Sequence, residues 1–569
     1  MTTSENHLLG LRADGRLTAS WASSVTGQTV AVGLASFIAL LLTMPRTLNI
    51  FDEGIVLTGA ERVLAGEVPH RDFVSIYGPA QYYIVAAIMR LTGDHFLAPR
   101  LYDVVIRAAV VAAVFGVVRS QASVAVAGLF AVLCGAWMLT SENYLYAVFP
   151  CALLVLAGSW AVVRFARAEW GAGSMFGAGL CTGLTALLRY DVGSFLLLAH
   201  LVAIAALAAI GPRPLLRRSV LGCLAYGFGV ALVFVPAAAA FLAVSPVQPF
   251  SDDVIAYGTH VYPATRNLPF PNLAALRADP GQASVYLPLL AAMLALFEVL
   301  RTARRLPPGL GTTSLVVFGA ASVLLFLKGF VRVSTIHMLL AIVPSLVVLA
   351  IVVGRWSAST KPLRAGAWII LAIVAVPALA PAMPFVSNNR ANPDLSLAGW
   401  LAERAGVIHP APALRAECAT GPVLTEAVVA TDYARVSHYL DSHARLGERI
   451  LVALDRHDRI FVNPVALYAT SGHLPATRWG QFDPGVQTRA DVQQAIIGEL
   501  HANHVRWVVR DATFDGVSEP NASALSSGVK LLDQYLDTHY REVARSGPVA
   551  IWLLDGEEPG PAAGPCEAS

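Results

Sequence analysis

Residues 49–83 read NIFDEGIVLTGAERVLAGEVPHRDFVSIYGPAQYY, and they follow directly on the first long apolar run of the chain. Two adjacent carboxylates, Asp52 and Glu53, therefore stand where a membrane-spanning helix should surface. A short turn suffices to join two spans, yet a charged amphipathic segment follows instead. In EGIVLTGAERVLAG, Val56, Ala60, Val63 and Leu64 fall on one helical face and the solvated pair Glu61 and Arg62 on another. That pattern predicts a helix over 54–66 lying along the membrane interface. GPAQYYIVAAIMRLTG, with Tyr82 and Tyr83 near one end, is apolar but short. It predicts a second interfacial or partly inserted helix, with the true crossing beginning near Pro99. Acidic residues favour helix N-termini, so a capping role for Asp52 and Glu53 stands beside a chemical one.

Composition says what kind of chain carries this stretch. Of 569 residues, 56% are hydrophobic and 14% charged, against about 25% charged in a soluble globular protein. Up to residue 385, apolar runs of about 20 residues recur, each enough to cross a hydrocarbon core of about 30 Å. Eleven spans are expected, at 26–46, 99–118, 122–140, 145–165, 172–189, 192–211, 219–243, 284–302, 311–330, 335–354 and 365–385. The stretch before the first run is polar and no small-residue cleavage site follows it, so the first span is expected to stay as an anchor.

Charge sets the orientation. With the N-terminus in the cytoplasm, the inside segments carry Arg12 and Arg16; Arg119; Arg164 and Arg167; Arg213, Arg217 and Arg218; Arg301, Arg304 and Arg305; Arg355, Lys361 and Arg364. Each inside segment is basic, as the positive-inside rule requires. Reading 80–93 as a span would put the later arginines outside. The expected protein is therefore a polytopic α-helical membrane protein with a C-terminal extracytoplasmic α/β domain. Residues 1–25 form a cytoplasmic N-terminus, 26–385 a transmembrane domain with long outer loops 47–98 and 244–283, and 386–569 the outer domain. In that domain DRIFVNP and RWVVRD read as strands, RADVQQAIIGELHANH and SGVKLLDQYLDTHY as helices, and YREVARSGPVAIWLL as a closing hairpin. Asp455, His457 and Asp458 in LDRHDRI read as a solvated turn rather than a catalytic group.

A net charge of +2 gives no electrostatic footprint for nucleic acid. Four of the six cysteines lie in apolar runs; Cys418 and Cys566 fall in the outer domain, where a disulfide and two free thiols both remain open. No Cys/His metal motif occurs.

Ionisable residues at membrane depth or at its edge are costly and mark function by default. Five clusters qualify, and in this topology all open on the outer face: Asp52 and Glu53; His70, Arg71, Asp72 and Tyr77; Glu142 and Asn143; Arg189 and Asp191; Lys328, Arg332 and His337. A carboxylate near a low-dielectric surface can act as a general base toward a hydroxyl. Arginine and lysine at the same depth can hold a lipid phosphate through charge-assisted hydrogen bonds. Each residue also has a structural reading: a turn or cap for Asp72, an interfacial helix end for Glu142, a local pair of Arg189 with Asp191, snorkelling for Lys328 and Arg332, packing for His337. Asp252 and Asp253 in the second outer loop would need further carboxylates to bind a divalent cation.

The combination of a first span, FDEG, AERVLAGEVPHRDF, YGPAQYY and FLAPRLYDVVIRA resembles the GT-C glycosyltransferases. The likeness is greatest to the family 39-type and related enzymes, which include protein O-mannosyltransferases and lipid A aminoarabinose transferases. It covers the whole layout of spans, long first outer loop and outer C-terminal domain. The resemblance implies inverting transfer of a sugar from a polyprenyl-phosphate donor to an acceptor hydroxyl on a glycan, lipid or protein, at the outer face of the plasma (inner) membrane. It implies Asp52 as the general base, with Glu53 orienting acceptor or sugar. Asp72, Tyr77 and Glu142 would line the substrate site, and Arg189, Lys328, Arg332 and His337 would hold the phosphate. The polyprenyl-phosphate sugar serves as donor; no cofactor is assigned, and the role of a divalent metal stays open. The chain departs from the pattern in lacking the lysine-plus-proline motif late in the first loop, where SIYGP stands instead. Its C-terminal domain does not resemble that of the protein mannosyltransferases. A transporter or lipid flippase would show mid-membrane charges and an internal repeat, and a non-catalytic scaffold would leave the outer-face charges without a role.

Overall fold

The computed structural model describes residues 24–167, 171–210, 213–302, 309–391, 396–399, 431–445 and 447–560. Cys418 and Cys566 lie outside them, as does most of the expected cytoplasmic N-terminus.

The membrane part is built from α1 (Val25–Leu42), α2 (Asp52–Leu64), α3 (Ala80–Thr92), α4 (Leu97–Arg119), α5 (Val124–Thr140), α6 (Val148–Ala166), α7 (Ala172–Leu188), α8 (Tyr190–Ile210), α9 (Arg213–Val244), α10 (Leu287–Thr302), α11 (Leu310–Gly329), α12 (Thr335–Ser357) and α13 (Lys361–Ala391). Among the described residues nine helical segments are long and apolar enough to cross a membrane, and α5 and α7, at 17 residues each, are apolar but shorter. Together they fall on the eleven positions expected from the sequence. The protein is a polytopic α-helical membrane protein. Serine caps start α1 and α5: Ser24 accepts from Gly27 N at 3.0 Å and Ser123 from Val126 N at 3.4 Å. Helix α12 is buried nearly throughout and forms the centre of the bundle. Helices α7 and α9 touch backbone to backbone, because a Cβ at Gly179 or Gly229 would collide with the carbonyl of Tyr226 or Phe176.

The C-terminal part contains α14 (Thr431–His443), β1 (Ile450–Leu454), α15 (Ala466–Ser471), α16 (Ala490–Ala502), β2 (Trp507–Asp511), α17 (Leu531–His539), β3 (Tyr540–Ser546) and β4 (Val549–Leu554). The sheet order is β1-β2-β4-β3, with β1 parallel to β2 and the β3–β4 hairpin antiparallel. RWVVRD is a strand, and both helices and the hairpin form as read. DRIFVNP is not a strand; the strand lies earlier, in ILVAL, every residue of which is buried. An unbroken apolar run suits a strand covered on both faces, as β1 is at the edge of this sheet, whereas 458–464 crosses irregularly beside it. There Asn463 ties the chain down, donating to Val452 O and Gly480 O at 3.0 Å each. In LDRHDRI only Asp455 is exposed, and His457 and Asp458 are buried. His457 is fully buried, its Nδ1 on Asp533 at 2.6 Å and its Nε2 accepting from Leu454 N.

Helix α2 departs from the interfacial helix expected. Residues 53–60 and Arg62 are buried, because α15 of the C-terminal part packs on it. Ala466 N donates to Ile50 O at 2.8 Å and Thr58 Oγ1 to Val465 O at 3.1 Å. Arg62 leaves the solvated face assigned to it and pairs with Glu67, while donating to Thr477 O and Asp72 O at 3.0 Å each. At 13 residues, α3 is too short to cross, and Tyr83, Arg90 and Leu91 lie on its exposed side.

Candidate active site

Asp52 opens α2, but it does not cap the helix. Asn49, just ahead of the helix, ties its start down: its Oδ1 accepts from Phe51 N at 3.1 Å and Asp52 N at 2.9 Å. Glu53 Oε2 accepts from Asn49 N at 3.2 Å. The Asp52 carboxylate is thus left for other use. It is partly exposed, and Asn143 Nδ2 donates to its Oδ2. Burial raises the Asp52 pKa above the ordinary carboxylate value; the charges of Arg266 and Arg332 and the Asn143 bond pull against that, and Asp483 adds to it.

Glu53 takes a different path from its neighbour. It is fully buried and meets Arg100 of α4 through two bonds, Nε–Oε1 at 2.6 Å and Nη2–Oε2 at 2.7 Å. Arg100 spends its remaining donors on Pro45 O and Thr47 O, at 2.6 and 2.8 Å. Both Glu53 oxygens are therefore occupied. Its observed contacts lock the end of the first span to the start of α2.

The predicted cations converge. Arg189 pairs with Asp191 at 3.0 Å, donates to Tyr146 OH at 3.1 Å and lies over the Tyr77 ring at 5.3 Å. Lys328 meets the same Asp191 at 3.4 Å. Two cations thus share one carboxylate, which leaves net positive charge there. Arg332 is held bidentately by Glu519 of the C-terminal part, at 2.5 and 2.8 Å, and donates to Arg266 O at 2.8 Å. Arg266 pairs with Asp483 at 2.9 Å. His337, hydrogen-bonded to Ser334 at 2.7 Å, lies within the fields of Lys328, Arg332, Arg189 and Arg266 together.

Tyr77 is buried edge-on against Tyr146 at 5.8 Å and lies within electrostatic reach of Asp52. Two other substrate-site expectations are placed elsewhere. Asp72 is occupied by Arg71 at 2.6 Å and by Val68 N at 2.7 Å, and the Arg71 contact lowers its pKa. Glu142 is exposed, and its neighbour Asn143 is the residue that reaches Asp52. Asp252 and Asp253 part company: Asp252 accepts from Gln248 at 2.8 Å, while buried Asp253 accepts from His70 Nδ1 and Ser75 N at 3.1 Å each. Among the described residues no group of three or more His, Cys, Asp or Glu side chains is arranged to hold a metal ion.

Sequence reasoning passed over Arg266, Asp483, Glu519 and Arg100. The first three lie in segments read as loop or as ordinary soluble domain, where a lone charge carries no signal. Arg100 stood in FLAPRLYDVVIRA, and an arginine just inside an apolar run was a signal available for use.

No protein-family model matches the chain, and no curated protein sequence matches it. Solved structures do. ArnT from Cupriavidus metallidurans bound to undecaprenyl phosphate is similar with a TM-score of 0.54 at 13% identity, over 94% of this chain and 99% of that one. The apo form of the same protein gives 0.54 at 13% identity, over 94% and 98%. The apo oligosaccharyltransferase from Archaeoglobus fulgidus gives 0.48 at 12% identity, over 86% of this chain and 70% of that one. The two ArnT structures share the fold of this chain over nearly its whole length, a polytopic helical bundle with a C-terminal domain.

Proposed function

We propose that this chain is a glycosyltransferase that moves a sugar from a polyprenyl-phosphate donor to an acceptor hydroxyl, with Asp52 as general base. The observation that carries the reading is the Asp52 carboxylate itself: partly exposed, not used in capping, raised in basicity by burial, and in the fields of Arg266 and Arg332. A base with a raised pKa takes a hydroxyl proton more readily than an ordinary carboxylate. The acceptor oxygen forms its bond to the anomeric carbon as Asp52 takes the hydroxyl proton. The bond from that carbon to the phosphate oxygen breaks, and polyprenyl phosphate leaves with the electron pair, with inversion. Arg189 and Lys328, which share one carboxylate, offset the charge of the leaving phosphate, with Arg332 and His337 at the same group. Tyr77 and Tyr146 supply an aromatic wall. Glu53 orients the acceptor side only indirectly, by fixing α2. The solved ArnT bound to undecaprenyl phosphate supports a lipid-phosphate ligand for this fold.

The reading places the protein in the plasma (inner) membrane, with the N-terminus cytoplasmic and the C-terminal domain outside. The acceptor is a glycan, lipid or protein. Purified protein given a polyprenyl-phosphate sugar should release polyprenyl phosphate, and Asp52→Asn should not. Equal release by the two would remove Asp52 as the base.

A further inference from the structure

The turn at residues 141–147, between α5 and α6, is held far more firmly than a connection requires. Arg107 of α4 is fully buried, and its guanidinium donates to Met138 O in the last turn of α5 at 2.7 Å and to two carbonyls of this segment, Ser141 O at 2.6 Å and Asn143 O at 3.1 Å. Its Nε pairs with Asp103 at 2.5 Å, and its face covers the rings of Phe149 at 3.7 Å and Tyr144 at 4.4 Å. A buried ion pair inside a membrane span is costly and calls for a reason. Two residues past Asn143, Leu145 takes φ 60, the left-handed region that a branched apolar residue rarely adopts. Its carbonyl accepts from buried Gln81 at 2.6 Å. Backbone in that region persists only where its surroundings over-determine it, and such residues gather at functional sites. From this turn Asn143 reaches the candidate base, its Nδ2 donating to Asp52 Oδ2, while Tyr146 accepts from Arg189. Among the described residues no side chain donates to Asp52 Oδ1.

We infer that this turn is a positioning device for Asp52: Arg107 and Gln81 fix the turn, and Asn143 holds Oδ2 so that Oδ1 is the oxygen presented to the acceptor hydroxyl. The inference rests on Asp52 being the base. Asn143 is a positioning residue, acting through Asp52, and Arg107 acts through Asn143. An amide donor also favours the ionised carboxylate, so Asn143 holds the base in its working form against the burial that favours protonation.

The test is a protonation readout that needs no sugar substrate. Dicyclohexylcarbodiimide modifies protonated carboxyls in apolar surroundings, and mass spectrometry of the full-length protein in detergent gives the pH midpoint of labelling at Asp52. Asn143→Ala removes the donor and should raise that midpoint by about 1 pH unit. Asn143→Asp sets a like charge beside Asp52 and should raise it further. Arg107→Lys keeps the charge but loses the three-carbonyl fork, and should shift the midpoint in the same direction. If that variant does not fold, Gln81→Leu, which frees Leu145 O, takes its place with the same expected shift. A wild-type midpoint in Asn143→Ala would overturn the inference, and one in the Arg107 or Gln81 variant would remove the turn from it. Failure of the underlying reading looks different: the wild-type protein would release no polyprenyl phosphate, whatever the labelling shows.

Discussion

Asp52 and Glu53 are chemically near-identical neighbours, and their partners divide them. Burial holds the Asp52 carboxyl above its unfolded value, so the folded chain binds that proton more readily than the unfolded one. Stability is therefore lost as pH rises through the window between the two values, and the full cost is present above it. Asp52→Asn removes the cost, so at pH 7 it should melt no lower than wild type while abolishing transfer; thermal unfolding in detergent beside the release assay checks both. The same raised value sets the acid limb of the wild-type pH–rate profile above the ordinary carboxylate range, because only the ionised base works. A limb at the ordinary value would assign the base elsewhere. Glu53 behaves oppositely. Glu53→Ala leaves Arg100 buried and unpaired, at a cost of roughly 3–5 kcal/mol, and thermal unfolding should show a large drop in midpoint. The sequence displayed the acidic pair but not its division of labour. That division depends on Arg100, 47 positions later, and on Asn143, 91 positions later.

Apolar runs announce spans because a bilayer demands about 20 residues of helix whatever surrounds it. That is why all eleven helical positions were legible. The strand in ILVAL was not, because a short buried apolar run carries no alternation to mark it as a strand. The cation group was legible in part, since Arg189, Lys328, Arg332 and His337 break apolar runs at the ends of α7, α11 and α12. Its partners were not, as Glu519 and Asp483 come from a segment of ordinary soluble composition. The ends of α7 and α11 carry the excess charge, because Arg189 and Lys328 share Asp191. Lys328→Ala should therefore weaken binding of undecaprenyl phosphate, used as the probe, by roughly ten- to a hundredfold, one charge-assisted contact being worth about 1.5–3 kcal/mol. Arg332→Ala should weaken it less, because its charge is already matched by Glu519. Titration of fluorescence or calorimetric binding would rank the two, and a reversed order would move the phosphate toward Arg332.

The membrane part and the C-terminal part meet where the site is. Helix α15 lies on α2, Arg62 reaches Thr477 O, Arg449 pairs with Glu67 at 2.6 Å, and Glu519 and Asp483 neutralise Arg332 and Arg266. The C-terminal part is thus part of the candidate site's wall rather than an appendage beside it. Composition changes near residue 386, while helix α13 runs on to Ala391; the docking was not legible, since an exposed amphipathic helix and one covered by a second domain share a pattern. One glycine makes the contact intimate. At Gly54, two residues after the proposed base, an added Cβ would lie 2.7 Å from Ala466 Cα and closer still to its amide nitrogen. Both neighbours are backbone, so no side chain can swing away to make room. Gly54→Ala must therefore part α15 from α2, breaking the Ala466–Ile50 and Thr58–Val465 bonds and drawing Glu519 and Asp483 off their arginines. Gly54 lies in α2, outside the spans, so insertion should be normal. Limited proteolysis should then release the C-terminal part at least several-fold faster than in wild type, and sugar transfer should fall although Asp52 is intact. Wild-type protease resistance combined with full transfer would mean that the C-terminal part is not needed to complete the site.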